Sequence, residues 1–243
     1  MKELFSYTVN LEKEVEKTET KEENGTTISV TKKVKEDVPY RIIIKQPSKK
    51  NIEDGGLQFS VEMSNCIKKG ILTKGMLMKK YKDTGGSFSE EDQKELDSLS
   101  VILNAKSDEF RATPEDQKEK RDAILAEVVA ARRRILELQN IHDALFANTA
   151  DMIARNNSIR WYCLYLTYVQ EMPSGEIKPM FAGNTLEEKL ATLEKMDEEQ
   201  NELYLKTYNK LSLFWSFWYM GTNVTKEDLE KFNTDIESGA FNQ

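Results

Sequence analysis

Through residues 5–38 apolar side chains recur at every second position, the period of a strand. Beyond residue 47 they recur every three or four positions, the period of a helix. Phe5, Tyr7, Val9, Leu11 and Val15 alternate with polar residues, and so do Ile28, Val30, Val34 and Val38. Between the two runs stands Asn24-Gly25, the pair suited to a two-residue type I′ turn, whose central residues both need positive φ. That loop pairs residue i with residue 49 − i. Val15 then faces Val34, Leu11 faces Val38, Glu16 faces Lys33, Glu14 faces Lys35, Lys13 faces Glu36, Thr18 faces Thr31 and Thr20 faces Ser29. These are favourable neighbours, and Glu12 opposite Asp37 is the one poor match. The apolar residues of both strands share one side. An isolated hairpin is at best weakly stable in water, so that side needs cover, either from the chain's own domain or from a neighbouring subunit. The polar tip, 17–27, is the part expected to project. Pro39 is expected to end the ladder, and Tyr40–Lys45 to form a third strand.

Helical spacing then takes over. Ile52, Phe59, Met63 and Ile67 form one stripe over 48–69, weakened by Gly55-Gly56 and closed by Gly70 as the residue after the cap. Thr73 caps a short helix, and 84–87 (TGGS) reads as a turn. Ser89 with Asp92 approximates a capping box for a helix carrying Leu96, Leu99, Leu103 and Phe110. Thr113-Pro114-Glu115-Asp116 has the form of a helix start. From Ile124 to Met152 the series Val128, Ala131, Ile135, Leu138, His142, Leu145 and Thr149 keeps heptad spacing. A helix over 114–152 is expected, roughly 58 Å long at about 1.5 Å per residue. The 90–110 helix can fold back along it as a hairpin, and an intermolecular coiled coil uses the same seam.

Residues 159–169 fit either a helix or a strand, and the spacing of Trp161, Leu164 and Tyr168 favours helix. Met172–Asn184 reads as a loop or small hairpin. Thr185 with Glu188 opens a helix expected to run through Leu190, Leu193, Tyr204, Tyr208, Leu211, Trp215 and Trp218 to Gly221. Thr225 with Asp228 caps a last helix, followed by a loose tail, SGAFNQ. The fold class is mainly α with an N-terminal antiparallel β-ribbon (α+β), its body a long helical hairpin or bundle. Four segments follow: a hairpin arm plus third strand (1–46), short helices and a hinge (47–86), a long helical hairpin (87–172), and a C-terminal helical segment with an aromatic cluster (173–243).

The chain has 243 residues, 39% hydrophobic and 32% charged, with a net charge of −7. That is enough for one sizeable core or two small ones. The acidic balance argues against a nucleic-acid surface. No apolar run approaches the roughly eighteen residues of a membrane span, and the start lacks the apolar core of a signal peptide. Cys66 and Cys163 stand far apart and read as buried, inert thiols of a reducing compartment. His142 is the only histidine and sits on the seam, with no nucleophile indicated beside it. Glycine loops for phosphates or dinucleotides, HExxH and a nucleophile elbow do not occur. The acidic clusters at 90–92, 187–188 and 197–199 lack the layout of a calcium loop. Arg132-Arg133-Arg134 spreads over about 200 degrees of a helix and so forms no single phosphate groove. No catalytic residue, cofactor or metal is expected. Phe214, Trp215, Phe217, Trp218 and Tyr219 crowd the end of one helix, as a core element or as an anchor for a partner.

The run at 42–86, IIIKQPSKKNIEDGGLQFSVEMSNCIKKGILTKGMLMKKYKDTGG, resembles segments of tailed-bacteriophage virion and tail-assembly proteins. So does MFAGNTLEEKLATLE with the aromatic stretch that follows it. The resemblance covers about half the chain and transfers no site residues. It implies a structural or assembly role without catalysis, in the virion or host cytoplasm, among other protein subunits in a homo- or hetero-oligomer. The expected mechanism is docking. Phe5, Tyr7, Val9 and Leu11 form the arm's contact face, and Trp215 and Trp218 the anchor. A soluble assembly chaperone is the second reading, and a small enzyme or regulator with an aromatic-lined pocket the third.

Overall fold

A computed structural model describes residues 2–23, 26–84, 88–173, 175–221 and 223–238, with the side chains of all of these except 14–34. The described residues form strands β1 (Glu3–Glu23), β2 (Thr26–Lys45), β3 (Thr167–Glu171) and β4 (Lys178–Pro179). They form helices α1 (Lys49–Lys68), α2 (Lys74–Thr84), α3 (Glu90–Ala112), α4 (Lys118–Phe146), α5 (Ala150–Leu166), α6 (Leu186–Glu198), α7 (Glu202–Met220) and α8 (Lys226–Glu237). The fold is mainly α with an N-terminal β-hairpin, as the two periodicities imply. The chain divides into two compact units, Met1–Gln58 with Asn156–Gln243, and Phe59–Arg155. Both boundaries fall inside helices, α1 and α5.

In the first unit the sheet order is β1-β2-β3-β4, all antiparallel. The register is the expected one: Leu11 pairs with Val38, Val15 with Val34, Glu16 with Lys33 and Thr20 with Ser29. The turn itself, Asn24-Gly25, lies outside the described residues. The register also sets Lys17 opposite Lys32, so Glu12–Asp37 is not the only like-charged pair. Pro39 does not end the ladder. Instead β2 runs through it to Lys45, and Tyr40–Lys45 is the base of β2 rather than a separate strand. The third strand comes from 159–169, where the helix stops at Leu166 and Thr167–Glu171 pairs with Tyr40–Ile44.

One face of this sheet is covered by α7 and α8. Phe214 lies 5.0 Å from Phe5 and 5.8 Å from Tyr7, ring centre to ring centre. Phe217 stacks on Phe232 of α8 at 4.4 Å. Trp215, fully buried, stacks on Tyr162 of α5 at 5.8 Å, and its indole N–H donates to Thr167 Oγ1 at 3.2 Å. Neighbours on three sides therefore absorb an aromatic run that a single helical stripe could not bury.

The 186–220 helix is broken. Gln200 takes φ of +50°, and Asn201 caps a new helix by accepting from the Tyr204 N–H at 3.2 Å. The capping boxes at Thr185 and Thr225 form, and Gly221 ends α7. The tail from 239 lies outside the described residues.

In the second unit α3 and α4 make an antiparallel hairpin. Ile124, Val128, Ala131, Ile135 and Leu138 are buried along its seam. Arg134 reaches across to both Glu95 oxygens at 2.8 and 3.0 Å, and Lys106 to Glu127 at 2.7 Å. The Thr113–Asp116 signal is a turn, not a helix start: Thr113 is the C-cap of α3, and α4 begins at Lys118. The long helix also stops early, at Phe146, where Thr149 bonds back to the Phe146 carbonyl through its N–H and hydroxyl. At 29 residues α4 is about 44 Å long. Thr73 caps α2 and Ser89 caps α3 as expected, while 85–87 of the expected turn lie outside the described residues. Gly70, with φ of +78°, closes α1. Its N–H bonds to Ile67 O, and that of Ile71 to Cys66 O, the paired bonds of a Schellman end.

Candidate docking surfaces

All six residues expected to meet a partner belong to the chain's own core or pack against it. Phe5, Tyr7 and Leu11 are buried, Val9 packs partly buried on the same cluster, and Trp215 is fully enclosed. The apolar base of the ribbon is thus covered by the same polypeptide, which removes Phe5, Tyr7, Leu11 and Trp215 as accessible contacts. Trp218 differs. It is half-buried, 5.0 Å from Tyr162, and lines a cleft of about 380 Å³ with Leu4, Pro47, Ile52, Tyr219 and Asn223. The described lining includes no carboxylate, histidine, thiol or amine, and leaves the phenol hydroxyls of Tyr162 and Tyr219 as its acid–base groups.

Polar side chains fasten the outer edge of β1 at the ribbon's base. Lys206 Nζ donates to the Asn10 carbonyl at 2.8 Å, and Glu202 accepts from the Glu12 N–H at 3.3 Å. Glu202 and Lys206 pair with each other at 2.6 Å, and that bond holds the Glu202 carboxyl below its ordinary pKa. On the opposite edge Glu171 accepts from Lys13 at 2.9 Å and from the Tyr40 hydroxyl at 2.8 Å. The Lys13 bond is the main reason its pKa is lowered. The i,i+4 spacing of Glu202 and Lys206 is visible in the sequence, but its target is not.

Past this fastening the ribbon has, among the described residues, only its own two strands. The β1–β2 pairing continues to Glu23↔Thr26, whereas β3 accompanies β2 at Tyr40–Ile44 alone. From residue 14 to residue 23 that is about 33 Å of two-stranded ladder at roughly 3.3 Å per residue.

The two thiols are buried, and His142 is half-buried. Burial pushes the Cys163 thiol up to about 12, and burial with Glu62 nearby raises that of Cys66. His142 packs between Phe88 and Phe146, 5.2 and 4.6 Å away, with Nδ1 3.1 Å from Asp143 Oδ1. Lys189, which the sequence did not mark, is 5% exposed and donates to the Phe181 carbonyl at 2.8 Å. Burial lowers its pKa, and it ties the loop before α6 to that helix. Among the described residues no group of three acids, histidines or cysteines could hold a metal ion, and no helix is long and apolar enough to cross a membrane. The arginine run is divided: Arg133 pairs with Glu137 and Arg134 with Glu95, while Arg132 points outward.

Compared with family models, curated proteins and solved structures, the chain matches none.

Proposed function

We propose that this protein is a non-catalytic assembly component that docks to another protein subunit through the distal part of its β-ribbon. The observation that carries this reading is the ladder that outruns its sheet. In an antiparallel pair the N–H and C=O groups of alternate residues point to the outer edges. From residue 14 on, both edges of this ribbon offer such groups, and a neighbouring sheet can pair with them by strand addition. The described lining of the cleft beside Trp218 holds no carboxylate, histidine, thiol or amine, which also favours docking over an aromatic-pocket enzyme. The resemblance of 42–86, and of 180–194 with the aromatic stretch that follows it, to tailed-phage virion and tail-assembly proteins makes a phage particle the assembly of choice.

The test shortens the ribbon without touching its base. Lys13 and Glu36 pair directly, so replacing residues 14–35 by Asn-Gly keeps the register of everything below. The shortened chain is expected to stay folded by circular dichroism and to be lost from the native complex that the tagged full chain enters. Equal incorporation of both chains overturns the reading. Mass spectrometry of finished particles separates a resident subunit from a chaperone that leaves.

A further inference from the structure

The α3–α4 hairpin carries a second apolar stripe, on the side of α4 away from its seam. Leu125, Val129 and Leu136 are 46%, 57% and 55% exposed, and their spacing puts them on one face of the helix. Asp122 and Arg132 belong to the same face. Both are exposed, and among the described residues neither takes part in an ion pair. Along one helix they stand about 15 Å apart and cannot reach each other.

We propose that this face binds the same face of a second copy of the chain, with the two α4 helices antiparallel and the twofold axis level with Glu127. The argument is symmetry of charge. Asp122 and Arg132 lie equally far from that level on either side, so an antiparallel copy sets each opposite its complement, twice. The same register lays Leu125 of each copy against Val129 of the other. It places Leu136 over the alkyl stem of Lys118, whose ammonium stays in water. A parallel pairing would oppose Asp122 to Asp122 and Arg132 to Arg132, which like-charge repulsion excludes. A stripe that carries its own complement calls for a copy of itself rather than for an unrelated protein. The contact is small, so the dimer is a reversible one with a dissociation constant of roughly micromolar order.

Sedimentation velocity on the full chain, from roughly 1 to 200 μM, tests it. Concentration-dependent dimerisation is expected. Val129→Glu, Asp122→Arg and Arg132→Asp each raise the dissociation constant about tenfold or more while circular dichroism is unchanged. The decisive arm mixes the two charge reversals. Asp122→Arg and Arg132→Asp fail to dimerise alone but restore the dimer together, because each supplies what the other has lost. A chain that stays monomeric throughout, a dimer indifferent to Val129→Glu, or a mixture that remains monomeric overturns the proposal. The ribbon-shortened chain dimerises as the full chain does, so this result and that of the docking test are independent.

Discussion

Asn10 and Pro39 face each other across the β-ribbon with their carbonyls turned away from one another. The Asn10 carbonyl accepts from Lys206 Nζ at 2.8 Å, and that of Pro39 from the Met172 N–H at 2.8 Å. In a strand the N–H and C=O of one residue point to the same edge. The donor that proline lacks would therefore face away from β1, just beyond Glu171, the last residue of β3 paired with β2. Pro39 removes no bond from the β1–β2 ladder, and this is why the strand passes through it. Proline inside a paired strand is tolerated where the ladder asks nothing of its nitrogen.

The carboxylate beside this point makes the ribbon's base sensitive to acid. The Lys13 ammonium and the Tyr40 hydroxyl hold the Glu171 pKa below its ordinary value. A depressed folded-state pKa gives stability that is present above the unfolded value, about 4.3, and is lost as pH falls through the lower folded one. Urea midpoints of the wild type and Glu171→Gln are expected to differ at neutral pH and to converge as pH falls past the unfolded value and through the lower folded one. A difference that persists unchanged into acid would show that the effect is not the carboxylate's charge.

Tyr7 is the core residue whose polar atom is least well served. Its ring packs against Phe214 and under Lys210 Nζ, 4.6 Å from the ring centre, while its buried hydroxyl has no hydrogen-bond partner among the described residues. Burial raises its pKa far above the ordinary tyrosine value. Tyr7→Phe keeps the ring contacts and removes an unpaired buried group, so it is expected to be neutral or to stabilise the fold by about 1 kcal/mol. Thermal unfolding checks this, and a clear loss of stability would reveal a partner for the hydroxyl.

Much of the fold was legible because local chemistry decides it. The alternation up to Val38 and the Asn24-Gly25 pair set the ribbon's register, and Ser89, Thr185 and Thr225 each start a helix with an acid three residues on. The hairpin seam followed from heptad spacing. Both helix breaks were hidden because apolar spacing runs across them without glycine or proline, from Leu145 to Met152 and from Leu193 to Tyr204. Periodicity shows which ribbon face is greasy but not what covers it. The cover is Phe214, just over two hundred positions along the chain from Tyr7. The stripe expected on α1 is right at Phe59 and Met63, which are half-buried, and wrong at its two ends for a related reason. Ile52 and Ile67 are each 52% exposed, while the buried line runs through Gly55 and Cys66, and a glycine leaves no apolar mark.

The two glycines of α1 separate packing from helix propensity. Both stand inside the helix, where alanine is ordinarily favoured by about 1 kcal/mol. At Gly56 an added Cβ meets open space. At Gly55 it would overlap the hydroxyl end of the Tyr162 ring, whose position is fixed by its bond to the Ile52 carbonyl at 3.4 Å and by stacking on Trp215. Ser158 Oγ bonds to the Gly55 carbonyl at 3.2 Å, so α5 approaches the bare backbone there. Gly56→Ala is expected to stabilise the protein by about 1 kcal/mol, and Gly55→Ala to destabilise it by about 1–3 kcal/mol through overpacking. Denaturant unfolding of the two variants gives the sign of each. If Gly55→Ala also stabilises, the approach of α5 to α1 at Gly55 is not close, and the Tyr162 wall of the cleft beside Trp218 is free to shift.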